Sequence, residues 1–352
     1  MAQVIRVLIV DDSALMRNIL SQGLSMDPAI EVIGTAPNPY IARDKIVELQ
    51  PDVMTLDVEM PRMDGVAFLR KLMPQYPIPT IMVSSLTQHG KQITIEALEA
   101  GAVDFIAKPA NNATASVNAV LTELRSKVKI AATVNVSHWK DKWPITATTK
   151  AVTSASALAE TTDKIIAIGA SIGGTDAICQ VIEKFPATTS GTVIVQHMPA
   201  GFTKMFADRL NQLCQMQVKE AKHGDRIRSG LILIAPGGKQ LEVVRNGEFY
   251  EIQLGGEEKV GGHCPSVDVM MRSVAKHAGA NAIGAMLTGM GQDGAEGMLA
   301  MKQAGGHCIA QDEESSVVFG MPRVAFEKGG AEQLVPLENI ATTLLTLLAE
   351  TK

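Results

Sequence analysis

The stretch KIIAIGASIGGTDAI, Lys164 to Ile178, is an apolar run that ends in a serine fenced by glycines and passes directly into a helix-like segment. Such a turn can cradle a phosphate, lift a nucleophile, or simply bend the chain. A phosphate loop of the GK[ST] type needs a lysine to reach the phosphates, and GASIGGTD (169–176) contains none. A dinucleotide turn wants G-x-G-x-x-G and an acid about 20 residues further on. Here the glycine spacing differs, and the next apolar run, GTVIVQHMP, ends in Gln196 and His197. GASIG does fit G-x-S-x-G, the strand-turn-helix elbow that exposes a serine above a sheet. The tip of that elbow is Ser171.

A five-residue pattern of this kind is common, so the serine needs a base and an acid at neighbouring strand ends. His197 stands at the carboxyl edge of the next strand, where a lone histidine more often has a structural role. Asp293 follows the run IGAMLTG within MGQDGAEG; the bland role for it is the N-cap of a helix beginning near Gly294. Taken together, Ser171, His197 and Asp293 supply a nucleophile, a base and an orienting carboxylate at one sheet edge. Backbone N–H groups in TGMGQ, near Met290, are placed to face a developing oxyanion. The chain order Ser, His, Asp differs from the orders of α/β-hydrolases, chymotrypsin-like and subtilisin-like enzymes.

Outward from this segment, apolar runs alternate with helical patterns along most of the 352 residues, a length that suits two domains. VIRVLIV, EVIGTA, VMTLD, PTIMVSS and VDFIAKP punctuate the first part, up to Pro109. Nearly continuous apolar strands separated by helices predict a parallel sheet covered on both faces. A closing helix is expected from about Ser116 to Lys129. Residues 131–163 are rich in Ala, Thr and Ser and read as a linker, although Trp139 and Trp143 imply that part of it docks on a domain. KIIAIGAS, GTVIVQH, LILIAP, NAIGAMLTG and HCIAQ then resume the alternation, with a hairpin signalled by RNGE (245–248) between KQLEVV and FYEIQL. The domains are thus expected at 1–130 and 164–352, joined by the linker, as two doubly wound parallel-sheet α/β units.

In such sheets ligands sit beyond the carboxyl ends of the strands. The first domain places Asp11, Asp12, Asp57, Ser84 and Lys108 there. One strand-end acid usually caps a helix, but three converging carboxylates repel one another unless a hard cation such as Mg²⁺ lies among them. A lysine and a hydroxyl provide the positive charge and the donor that an added phosphoryl group requires, and an aspartate can attack phosphorus.

LIVDDS, LDVEMPRMDG, MVSS and DFIAKP resemble the hallmark blocks of response-regulator receiver domains, over about residues 3–125. The resemblance implies a flavodoxin-like fold, with Asp57 as phosphoacceptor and Asp11, Asp12 and Asp57 as the metal acids. It further implies Lys108 as the phosphoryl-sensing base, Ser84 and Phe105 as the switch pair, and a histidine kinase as phosphodonor. From about 164 to 350, IGASIGGTDAI, VIVQHMPAGFT, LILIAPGGKQL, GHCPSVDVMMRSVA and LTGMGQDGAEGM resemble the catalytic domain of the chemotaxis protein-glutamate methylesterase family. That likeness implies a Rossmann-like esterase with an antiparallel hairpin and no cofactor at its site. Its activity would be switched on by phosphorylation, its substrates glutamate γ-methyl esters on chemoreceptors and also receptor glutamines. It assigns Ser171, His197 and Asp293 as the triad and the Met290 backbone as oxyanion donor. This chain departs from the family at Ile172, where a threonine is common, so any hydrogen bond from that hydroxyl to the base must be absent or replaced.

Composition narrows the competing classes. The net charge is −5, and 17 Lys/Arg face 20 Asp/Glu between Lys164 and Lys352, so nucleic acid is not an expected partner and a transcription-regulator output is disfavoured. No apolar run approaches about 18 residues, which argues against membrane insertion. The first residues start a strand at once, leaving no room for a signal peptide. Four cysteines without CxxC spacing suit reduced thiols, and the expected location is the cytoplasm. The remaining alternative is a phospho-switched binding module whose serine is idle. Joining a receiver to an esterase leads us to expect a resting receiver that covers the site until Asp57 is phosphorylated.

Overall fold

The computed structural model describes residues 4–85, 87–108, 114–136, 139 and 164–350. The chain divides into two compact units, Met1–Thr148 and Thr149–Lys352, each built around its own sheet.

In the first unit the strands are β1 (Ile5–Val10), β2 (Ile30–Ala36), β3 (Val53–Asp57), β4 (Thr80–Ser84) and β5 (Asp104–Ala107). They alternate with α1 (Ala14–Ser25), α2 (Pro39–Leu49), α3 (Gly65–Leu72), α4 (Gln88–Glu99) and α5 (Thr114–Ala131). The sheet order is β2-β1-β3-β4-β5, with every pairing parallel. β3 and β4 are buried along their whole length, as expected of strands covered on both faces. Ser13, Asn38 and Asp64 each accept an N–H from the first turn of the following helix, so short polar residues start these helices as N-caps. The strand order reverses between β1 and β3, opening the crevice where Asp11 and Asp57 emerge. The closing helix is two residues longer at each end than the periodicity predicts. Beyond it Val134 and Val136 are buried, and the Trp139 ring lies against Gly101. The start of the expected linker therefore packs on the first unit, because apolar side chains within it find a surface there. Trp143 lies outside the described residues.

The second unit begins with β6 (Ile165–Ala170), α6 (Gly174–Ile182), β7 (Thr192–Gln196), α7 (Phe202–Leu213), β8 (Gln217–Glu220), β9 (Arg226–Ile227) and β10 (Leu231–Ile234). The hairpin β11 (Gln240–Asn246) and β12 (Phe249–Gly255) follows. The chain then runs through α8 (Val267–Ala278), β13 (Ala282–Met286), α9 (Ala295–Gln303), β14 (His307–Gln311), α10 (Met321–Glu327), β15 (Gln333–Val335) and α11 (Leu337–Glu350). Seven strands form one sheet in the order β15-β14-β13-β6-β7-β10-β8, again wholly parallel. β7, β10 and β8 lie on one side of β6, and the later strands β13, β14 and β15 lie on the other, so β6 lies at the switch point. The hairpin pairs Asn246 with Phe249 across a two-residue loop. Gly247 there has φ +62°, a left-handed conformation that glycine adopts without cost. With β9 the hairpin makes a separate three-stranded sheet, and the Val243 N–H donates to Ser273 Oγ of α8 at 2.8 Å. Both parallel sheets and the antiparallel hairpin agree with the fold class read from the sequence.

Gly65 opens α3 directly against the end of β3: a Cβ there would lie 2.2 Å from the Asp57 carbonyl oxygen. Backbone cannot retreat as a flexible side chain can, so Gly65→Ala must shift α3 or β3. We expect it to destabilise the first unit by about 2 kcal/mol, read as lost hydrogen-exchange protection in β3 with protection in β6 and β7 unchanged.

Candidate active site and phosphoacceptor site

Ser171 follows the last residue of β6, and His197 follows the last residue of β7. The register pairs Ala170 with Gln196, so the two residues leave adjacent strands side by side, about 4.8 Å apart in backbone spacing. Their backbone is well tied. The Ser171 N–H donates to Thr288 O at 3.0 Å, the His197 N–H donates to Ala170 O at 3.1 Å, and Gln196 Nε2 donates to Ser171 O at 2.8 Å. Gly173, with φ +75°, turns the chain into α6, and a Cβ on it would strike Val317. The glycine-fenced serine is thus a true strand-turn-helix elbow.

Asp293 lies in the loop after β13, the strand on the other side of β6. The His197 Nε2 to Asp293 Oδ2 distance is 2.8 Å. Since a carboxylate only accepts, Nε2 carries the imidazole proton and Nδ1 is left as the acceptor. Nδ1 is buried and has no hydrogen-bond partner. This orientation is the reverse of the chymotrypsin-like one, in which Nδ1 faces the acid. Among the described residues no hydrogen bond joins the Ser171 hydroxyl to His197, a contact that commonly tightens only when substrate is bound. Ile172 is buried and brings no hydroxyl to His197.

Asp293 does not cap α9, which starts at Ala295 behind Gly294; it caps α8 from outside. Ser266 Oγ donates to Oδ1 at 2.7 Å, the Val267 N–H to Oδ2 at 2.7 Å, and the Asp268 N–H to Oδ1 at 3.2 Å. The positive end of the helix dipole adds to these donors. Burial raises the affinity of this carboxyl for its proton, but His197, Ser266 and the Val267 N–H outweigh it and hold the group at about 2. Ser266 carries no catalytic signature of its own; the only sign of it in the sequence is an N-cap serine before an apolar helix in PSVDV.

The loop after Thr288 closes on the serine. A Cβ on Gly289 would be 2.9 Å from Ser171 Cβ, so only glycine allows the approach. Next to it, among the described residues, the Met290 N–H donates to no acceptor, and the Met290 side chain is exposed. A second unheralded neighbour is His263, whose ring stacks on that of His197 with centroids 3.8 Å apart and 6° between planes.

In the first unit Asp11, Asp12 and Asp57 each offer a carboxylate oxygen within 4.8 Å of the others. Asp11 and Asp57 are buried while Asp12 is exposed. Lys108 Nζ bridges the buried pair, 2.9 Å from Asp57 Oδ2 and 3.1 Å from Asp11 Oδ2. Burial pushes Asp57 up to about 6 against the opposing pull of Lys108. Burial lowers Lys108, yet Asp57 and Asp11 together raise it above its ordinary value. Among the described residues Lys108 is the one positive charge that faces the buried Asp11 and Asp57 oxygens, and three carboxylates against one ammonium form an all-oxygen donor set that fits a hard divalent cation. Ser84, buried at the end of β4, accepts a hydrogen bond from Thr94 Oγ1 at 2.6 Å. Phe105 is buried in β5, with the Lys127 ammonium 5.8 Å from its ring centroid.

The Asp293 cradle has a consequence for acid stability. A carboxyl held at about 2 in the folded state, against an ordinary 3.8, stabilises the fold above its unfolded pKa and loses that contribution as the pH falls through 2. Between about pH 5 and pH 2, the stability advantage of the unaltered protein over Asp293→Asn should shrink by about 2 kcal/mol, measured by urea unfolding at each pH.

Comparison with known proteins bears on both units. Residues 166–344 match the family described as CheB methylesterase, and residues 7–118 match the response regulator receiver domain. The protein-glutamate methylesterase/protein-glutamine glutaminase of Syntrophotalea carbinolica is 63% identical over 350 residues, 99% of each chain. A Salmonella typhimurium protein of the same name is 49% identical over 345 residues, 98% of this chain and 97% of that one. The crystal structure of the Thermotoga maritima CheB methylesterase catalytic domain covers 52% of this chain and 98% of its own, with 37% identity and a TM-score of 0.51. The two family models match the two sheets in turn, the receiver first and the methylesterase second, and with relatives this similar over nearly its whole length the chain belongs to the CheB methylesterase family.

Proposed function

We propose that this protein is a phosphorylation-regulated serine hydrolase that removes methyl groups from glutamate γ-methyl esters of chemoreceptors and deamidates receptor glutamines. The observation that carries the reading is the His197 imidazole. Asp293 holds Nε2 at 2.8 Å, and Nδ1 is buried without a partner one strand away from Ser171. A binding module with an idle serine has no need of a desolvated carboxylate aimed at such a ring.

In the proposed reaction Ser171 Oγ attacks the γ-carbonyl carbon and its proton passes to His197 Nδ1. The carbonyl oxygen becomes an oxyanion facing the Met290 N–H, a type of donor worth about 3–4 kcal/mol. Collapse of the intermediate breaks the bond to the methoxy oxygen, which takes the proton from the imidazolium and leaves as methanol. Water then attacks the acyl-serine with His197 again as base, releasing the glutamate side chain and restoring Ser171. With glutamine as substrate the leaving group is ammonia. Asp293, kept ionised by its cradle, fixes the imidazole tautomer and stabilises the positive charge that forms on it.

In the receiver, Asp57 would accept a phosphoryl group from a histidine kinase. Mg²⁺ held by Asp11, Asp12 and Asp57 would neutralise the charge gathered there. Lys108 would move from the carboxylate pair towards the new phosphoryl oxygens, and Ser84 and Phe105 would follow as the switch pair. Among the described residues no helix is long and apolar enough to cross a membrane; receptor membranes enter this scheme as substrate.

Two substitutions test the reading. Ser171→Ala should reduce methanol release from membranes bearing methylated receptors by at least about a thousandfold while leaving the unfolding midpoint unchanged. Asp57→Asn should hold the full chain at its basal rate when a small phosphodonor is added, whereas the unaltered protein accelerates.

A further inference from the structure

We propose that His263 is a positioning residue for the general base, fixing the plane of the His197 imidazole by stacking on its face. This rests on the reading of His197 as that base.

A single hydrogen bond at Nε2 anchors one corner of the ring and leaves its plane free to turn. Ile172 offers no hydroxyl, and Nδ1 has no partner. Across the face of the ring lies His263, parallel within 6° at 3.8 Å, the separation of a packed aromatic pair. That ring is itself held by its backbone. The His263 N–H donates to Val260 O at 3.0 Å, and His263 O accepts from the Val260 N–H at 2.9 Å and from Gln240 Nε2 at 3.1 Å. Gln240 Oε1 accepts the Ser266 N–H at 2.8 Å, and Ser266 donates to Asp293. One buried amide therefore ties the plate on which His197 rests to the cradle of the acid that orients it.

The stack also suits the charge that the base acquires. Burial, and then the neighbouring His197, lower the His263 pKa to about 4, so His263 stays neutral at working pH. A neutral ring face accepts an imidazolium, where a second cation at 3.8 Å would oppose its formation. The contribution lies in the geometry of proton transfer, so it should appear in kcat and not in KM.

The test compares His263→Phe, which keeps a flat ring, with His263→Leu, which keeps apolar bulk without one. Methanol release from methylated receptor membranes is measured with the full chain and a phosphodonor, beside Ser171→Ala and His197→Ala. A well-placed base is worth about 10²–10⁴ in rate, and a loosened one should forfeit part of that. We expect His263→Leu to lower kcat about tenfold or more with KM unchanged, and His263→Phe to recover to within about threefold of the unaltered protein. Equal losses in both variants, no loss in His263→Leu, or a loss that appears in KM would overturn the proposal. Full activity in Ser171→Ala or His197→Ala would instead overturn the serine-hydrolase reading beneath it.

Discussion

The catalytic unit is organised around one buried negative charge. Removing a carboxylate from water costs several kcal/mol unless donors replace the lost solvent, and Asp293 is buried almost completely. The fold meets that demand with Ser266, two N–H groups at the start of α8, and the imidazole of His197. The donors arrive from two distant places in the chain, the end of β7 and the Ser266–Asp268 segment, so ionising Asp293 requires both to be correctly placed beside the loop after β13. The site is thereby assembled by the same interaction that keeps the charge affordable.

Both sheets put their chemistry at the strand-order reversal, with opposite electrostatics. In the receiver three carboxylates gather around one lysine, which pairs with Asp11 and Asp57 and leaves an excess of negative charge. In the esterase one carboxylate is shared by an excess of donors and so stays ionised. The first arrangement is ready for a cation and a phosphoryl group. The second is closed and holds a histidine still.

Much of this was legible in the sequence. KIIAIGAS, GTVIVQH, LILIAP, NAIGAMLTG and HCIAQ are strands because each is an unbroken apolar run, and the central strands of a covered parallel sheet must be apolar on both faces. Gln217–Glu220 and Gln333–Val335 escaped notice because they are short, partly polar edge strands, stabilised by a single neighbour. Ser171, His197 and Asp293 could be picked out because strand ends on either side of a switch point converge whatever the loops do. The bland role for Asp293 falls on a different helix from the one its position suggests: a carboxylate two residues before a helix reads locally as its cap, and only the tertiary fold brings α8 closer than α9. His263 and Gln240 lie within the blocks GHCPSVDVMMRSVA and LILIAPGGKQL, but nothing local marks what they do. Their roles depend on a ring stack and a side-chain amide that link segments with no periodicity in common.

The hairpin β11–β12 has a fixed root and a free end. Gln240 at its root joins the His263 and Ser266 segments, whereas at Gly247 no atom lies within 4 Å of where a Cβ would stand. Length at the two ends therefore has unequal consequences. Residues added or lost at the tip change only an exposed loop, while a one-residue slip at the root turns Gln240 to the opposite face of the strand and releases both segments. Over evolutionary time this hairpin is free to vary in reach at its tip without retuning the chemistry at its base.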